Sequence, residues 1–209
     1  MANIDQIISP KWMLTSSRDK PQKDLSIVIS GNKIHEILSS DDAVRKYKTE
    51  KHLKLPNQIL LPGLINPYSE LSQQLTEQII SHYIQKDSSS DRKKFPYNQY
   101  SDFAAKLSAI KLIKAGITSY TNVSYYPNIF IDVFNQVGIR LFCGLPMYCN
   151  KNPWSDNEED SFKKNLAIYD KYKSYPNTQM FFCLFENDPI SQSMLSKIAN
   201  VANELELSV

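Results

Sequence analysis

Acid–base and metal chemistry in proteins rests mostly on histidines, carboxylates and thiols, and this 209-residue chain uses them sparingly. No two of its three histidines, His35, His52 and His82, lie within a ligand-like spacing. His35 falls in an alternating strand and His52 in a polar stretch, so both read as surface residues, and His82 lies on a helical segment without a partner. Glu186 and Asp188 have the types of an acid/base pair, but beside Pro189 they read as loop residues or helix caps. Tyr120, Tyr125 and Tyr126 are read as core and rim packing, with a pocket for a planar ring as the alternative. Cys143 and Cys183 stand in apolar strands as small core hydrophobes. With Cys149 they make an odd set without metal-type spacing, as expected of reduced thiols in a cytoplasmic protein. Only five glycines occur, all isolated, which excludes a phosphate-cradling loop.

The remaining composition narrows the class. At 42% hydrophobic residues the chain can bury one sizeable core with a small satellite. A net charge of +2 with scattered Lys and Arg gives no basic stripe, so no nucleic-acid partner is expected. The short clusters Asp91-Arg92-Lys93-Lys94 and Glu158-Glu159-Asp160 read as solvated. The N-terminus lacks a signal-peptide pattern, and no window approaches the roughly 18 apolar residues of a membrane span. A cytoplasmic location without membrane contact is the expectation.

Hydrophobic periodicity divides the chain near residue 58. Residues 1–58 read as a small antiparallel module, with runs at Asp5–Ile8 and Lys11–Leu14 separated by Pro10. Leu25–Ile29, the turn Ser30-Gly31-Asn32 and the alternating Lys33–Leu38 follow. Ser40-Asp41-Asp42 caps a short helix, and a polar stretch leads to Leu55-Pro56. From 59 to 209 strands and helices alternate. Ile59–Ile65 reads as a strand buried on both faces, followed by a helix from about Glu70 to Gln85 and a loop from Lys86 to Asn98. Ser101-Asp102 caps a helix closed by Gly116, and a strand runs Ile117–Val123. Asn128 caps a helix closed by Gly138, and strand Ile139–Leu145 and helix Asp156–Lys173 come next. Strand Thr178–Phe185 and helix Ser191–Leu205 complete about four βα units. The alternation implies a parallel sheet, but periodicity leaves an open doubly wound sheet and a barrel segment equally open.

An ordered series of short segments resembles the amidohydrolase superfamily, in its chlorohydrolase and methylthioadenosine/S-adenosylhomocysteine deaminase branch. Lys11-Trp12 lies in the first strand region, and Ser30-Gly31-Asn32-Lys33-Ile34 is similar to an Asp-Gly-Lys-Ile turn. Leu61-Pro62-Gly63-Leu64-Ile65-Asn66 resembles the first barrel strand, and Lys114-Ala115-Gly116-Ile117-Thr118 a Gly-Thr-Thr strand start. Val137-Gly138-Ile139-Arg140 and Asn200–Leu207 continue the series. The resemblance covers the N-terminal half of a family member. It implies a partial (β/α) TIM-type barrel preceded by a β module, and an ancestral hydrolysis of C–N bonds in purine nucleosides.

The resemblance also marks departures. Where the family has two metal-binding histidines two residues apart, this chain has Tyr68 and Glu70. Phe185 stands for a substrate-contacting histidine after the fourth barrel strand, and Asn122 for a carboxylate at the second. The Zn or Fe cation of the family is therefore not expected here, and neither a metal site nor a catalytic residue is assigned. Tyr68 and Glu70 read as a vestigial site or a repurposed one. The chain reads as truncated and catalytically inactive, with a non-catalytic binding protein or a gene remnant as alternatives. Four strands of an eight-stranded barrel leave open edges. Self-association, a complementing C-terminal half or marginal stability is expected.

Overall fold

The computed structural model describes residues 2–68 and 96–209. The chain divides into two compact units, Met1–Pro62 and Gly63–Val209.

In the first unit β1 (Ala2–Asn3) is followed by β2 (Gln6–Met13), β3 (Leu25–Ser30) and β4 (Lys33–Ser39). Helix α1 (Ser40–Lys46), β5 (Tyr47–Lys48) and β6 (His52–Leu60) complete it. A short parallel pair joins β1 to β5, and the main sheet has the order β4-β3-β2-β6. Because β2 and β6 run parallel, the sheet is mixed rather than antiparallel as the sequence suggests. Pro10 does not divide β2. It sits where the pairing register with β6 shifts, and such an irregularity tolerates the missing N–H. Residues 52–60 form a strand because β2 pairs with six of them, although most of its side chains lie open to solvent. Strand β4 lies at the sheet edge, so Ile34 and Ile37 are exposed instead of half-buried. Gly31 takes φ +60° in the β3–β4 turn, a conformation that favours glycine. The Ser39 side chain, one residue before the expected cap, accepts the Asp42 N–H at the start of α1. Ile7, Val28, Ala43 and Tyr47 form the small core.

The second unit opens with β7 (Leu64–Asn66). After it come α2 (Tyr97–Lys114), β8 (Ile117–Val123), α3 (Pro127–Val137), β9 (Arg140–Pro146), α4 (Glu158–Tyr172), β10 (Thr178–Cys183) and α5 (Gln192–Leu205). All pairings in the sheet β10-β9-β8-β7 are parallel and between chain neighbours. A doubly wound sheet reverses its strand order at a switch point, whereas a barrel wall does not. Among the described strands the order shows no such reversal. The expected strand 59–65 is split between two sheets, because Ile59 and Leu60 end β6 and only Leu64–Asn66 pair with β8. Leu64 and Ile65 are 52% and 72% exposed rather than buried, since β7 is an edge among the described residues. Gly63 just before β7 leaves no room for a side chain: a Cβ there would meet Thr118 Oγ1 at 2.0 Å.

Helix α2 begins a turn earlier than expected, at Tyr97 after Pro96. Ser101 is buried inside it, and Asp102 pairs with Lys106 at 2.7 Å, so neither caps. For α3, Pro127 takes the first helical position instead of an Asn128 cap, and Gly138 closes the helix at φ +75°. Ser191 caps α5 as the sequence indicates. The helix expected at 70–85 and the loop residues 86–95 lie outside the described residues.

Strand alternation gives the sheet two faces. Tyr120, Leu141, Cys143, Leu145, Met180 and Phe182 face the helices and form the core with Phe130, Phe134, Phe162 and Ile198. The opposite face carries three rows across the strands: Ile65, Ser119 and Arg140; then Thr121, Phe142 and Gln179; then Val123, Gly144 and Phe181.

Candidate functional site

In parallel α/β folds the strand carboxyl ends present ligand sites, because loops of independent sequence converge there. Here three aromatic residues each stand two places past a strand end: Tyr125 after β8, Tyr148 after β9 and Phe185 after β10. Their rings stack in series. Tyr125 and Tyr148 have centroids 5.3 Å apart at 26°, and Tyr148 and Phe185 lie 5.0 Å apart at 10°. Burial pushes the Tyr148 phenol far above its ordinary range, with Tyr125, Cys183 and Asp188 adding to the rise. It therefore stays neutral and acts as a ring and a hydroxyl, not as a base.

The loop after β10 is braced from beneath. Asp188 accepts the Cys149 N–H at 3.1 Å and the Asn150 amide at 2.7 Å, which ties this loop to the one after β9. Glu186 is exposed, whereas Asp188 is engaged in these two bonds. Glu158, at the first position of α4, accepts both the Ser191 N–H at 2.9 Å and its hydroxyl at 2.6 Å. This links the start of α4 to the cap of α5, and both helix N-termini favour the negative charge.

The other residues singled out from the sequence disperse. Tyr120 is buried and stacks on Phe134 at 5.4 Å on the helix side. Tyr126 meets Trp154 edge-on and donates to the Pro153 carbonyl at 3.0 Å. Only Tyr125 of the three joins the stack. Asn122 is fully buried on the same face as Tyr120 and donates to Ser124 Oγ at 3.2 Å. The position matched to a carboxylate thus belongs to the layer under the helices. Tyr68 is 71% exposed just past β7, and Glu70 lies outside the described residues. Burial pushes the Cys143 thiol up to about 12, as suits a core residue. His35 is exposed and packs edge-on against Tyr47, and His82 is outside the described residues.

His52 departs from its surface reading. From β6 its Nε2 bonds Ser9 at 2.8 Å, Ser9 bonds the buried Ser26 at 2.6 Å, and Ser26 donates to Ser40 at 2.9 Å. Each hydroxyl has one proton to give. With the Ser26 proton on Ser40, Ser9 donates to Ser26 and His52 donates through Nε2–H. Burial, then the charge of Lys54, lowers the His52 pKa.

Sequence reasoning missed Tyr148, the centre of the stack. The available signal was positional: an aromatic residue two places past each of three successive strands.

No family model matches the chain. The 5-methylthioadenosine/S-adenosylhomocysteine deaminase of Teredinibacter turnerae is 21% identical over 212 residues, covering 99% of this chain and 48% of that protein. A zinc-bound adenosine deaminase from Xanthomonas campestris superposes with a TM-score of 0.85 at 15% identity, over 98% of this chain and 48% of that one. This is the N-terminal half of an amidohydrolase-superfamily fold. The chain spans about half the length of the curated relatives it matches. Zinc-complexed atrazine chlorohydrolase from Arthrobacter aurescens also matches, with a TM-score of 0.69 at 15% identity over 96% of this chain and 51% of that one.

The zinc in these neighbours overturns the expectation that no Zn or Fe cation belongs here: proteins of this fold bind metal. The described residues do not by themselves fit such an ion. They contain no group of three His, Cys, Asp or Glu able to hold one, and Phe185 offers no donor atom. Among the described residues no helix is long and apolar enough to cross a membrane.

Proposed function

We propose that this chain is the N-terminal half of a C–N hydrolase of the deaminase and chlorohydrolase type, and that by itself it binds a flat heterocycle at the sheet mouth without hydrolysing it. The stack of Tyr125, Tyr148 and Phe185 across three strand ends carries this reading. Aromatic faces attract the planar ring of a purine or triazine by stacking, worth about 0.5–1.5 kcal/mol per ring pair beyond burial. Hydrolysis needs an activated water and a proton carrier. At this mouth Asp188 is spent on bracing two loops, and the Tyr148 phenol does not ionise in the neutral range. The matched relatives and neighbours, adenosine-type deaminases and a chlorohydrolase, support the substrate class.

The test combines binding and turnover. Purified chain, with zinc supplied, is titrated with 5'-methylthioadenosine while tyrosine fluorescence and ammonia release are followed. Saturable quenching without ammonia, weakened in Tyr148→Ala, is the expected result. Zinc-dependent deamination, or no binding at millimolar nucleoside, refutes the proposal.

A further inference from the structure

The loops that follow β8, β9 and β10, at 124–126, 147–157 and 184–191, carry unequal charge. Lys151 is their one cation, against the carboxylates Asp156, Glu186 and Asp188. Lys151 pairs with Asp156 at 2.6 Å, which leaves the two carboxylates beside Phe185 without a cation. Asp188 sits between neutral donors, the Cys149 N–H at 3.1 Å and the Asn150 amide at 2.7 Å. Its hydrogen bonds are met, and its charge is not. Glu186 is exposed and takes part in no ion pair among the described residues.

A further cation, Lys164, touches the β9 loop through the Trp154 carbonyl at 2.7 Å, but it holds Asp160 at 2.8 Å. The surplus negative charge reaches the rings, since Asp188 adds to the rise of the Tyr148 phenol. Tyr125, Tyr148 and Phe185 bring the negative π faces of their rings to the same place. A ring face and an uncompensated carboxylate both attract a cation and both repel an anion. The opposing field is the N-terminus of α3, which starts at Pro127 without a side-chain cap. A helix end is equivalent to about half a positive charge, too little to offset two carboxylates.

We infer that the site at this mouth selects a flat heterocycle carrying positive charge on its ring, N-alkylated or protonated, over the neutral ring of the same shape. The inference rests on the reading that the stack binds a flat ring, and it adds the charge of that ring. The cationic ring gains twice, from stacking on an aromatic face and from the two carboxylates beside Phe185. A neutral ring gains the stacking alone, and an anionic ring is repelled by both. The fitting cation is flat because the three rings lie nearly parallel, at 26° and 10°, and form no box around a compact ammonium group.

Equilibrium dialysis of the full chain at pH 8 against three rings of one shape tests it: 1-methylquinolinium, the neutral 2-methylquinoline and quinoline-2-carboxylate. The cation is expected to bind at least about fivefold tighter than the neutral ring, with the anion weakest. Raising NaCl to about 0.5 M, where screening shortens to a few ångströms, is expected to erode the cation's advantage and leave the neutral ring's affinity unchanged. Glu186→Gln, at an exposed side chain, is expected to cut the advantage about twofold. Asp188→Asn, which is isosteric and keeps an oxygen for the Cys149 N–H, is expected to cut it further. Should that variant fail to fold, Glu186→Gln and the salt series still decide. A neutral ring bound as tightly as the cation, or an advantage untouched by salt and by Glu186→Gln, overturns the inference while ring binding stands. No binding of any of the three at millimolar concentration overturns both the inference and the reading it rests on.

Discussion

Replacing Tyr148 by alanine removes the middle ring of the Tyr125–Tyr148–Phe185 stack and breaks both ring contacts at once. The two lost pairs are worth about 1–3 kcal/mol together beyond area burial. Truncating a fully buried aromatic ring costs about 3–5 kcal/mol in all, and Tyr148 is only half-buried, so a total near 3 kcal/mol is expected. For a domain of this size that lowers the melting temperature by about 6–12 °C. Tyr148→Phe keeps the stack and loses one hydroxyl, which costs no more than about 1 kcal/mol. Urea unfolding followed by near-ultraviolet circular dichroism measures both. A double-mutant cycle with Phe185→Ala should show about 0.5–1.5 kcal/mol of coupling, because the partners share a face. A loss below about 1 kcal/mol for Tyr148→Ala, or no coupling to Phe185, would show that the rings touch without acting as a unit and would remove the basis for a stacking site.

Four further outcomes follow from the same geometry. Gly144→Ala should destabilise by about 1–2 kcal/mol in urea unfolding, because overpacking against Val123 exceeds the backbone entropy recovered. His52 has a folded pKa below its ordinary 6.5, so the unfolded state binds the proton first; its contribution is fully present above about 6.5 and is lost as pH falls through the folded value. His52→Gln should flatten stability against pH in that window, and an unchanged profile would show that another group sets it. Cys143, held near 12 by burial, should resist a thiol reagent at pH 8 until the chain unfolds; labelling at the rate of an exposed thiol would contradict its core position. Tyr68→His with Glu70→His and added zinc should produce no deamination, since Phe185 and the helix-facing Asn122 remain; metal-dependent ammonia release would disprove this.

Local chemistry made much of the fold legible. The β8 strand, the Gly116 and Gly138 helix ends, the Ser191 cap and the Gly31 turn depend on neighbours within a few residues, and the sequence indicated each of them. The Leu61–Asn66 segment pointed to the relatives that the chain matches, and its Gly63 packs so closely on the Thr118 side chain that no Cβ fits. Nonlocal pairing decided the rest. Periodicity did not show that Leu60 and Leu64 belong to different sheets, or that 52–60 becomes a strand by pairing with β2. Nor did it show that β2 runs through Pro10. The stack was hidden for the same reason, since Tyr125, Tyr148 and Phe185 lie far apart in sequence and meet only through the parallel pairing of β8, β9 and β10. The sequence alone thus determined the ancestry and the alternation of strands and helices, which rest on residue type and short spacing. Only the tertiary structure decided which side chains share the mouth and which face stands open, because both depend on strand register.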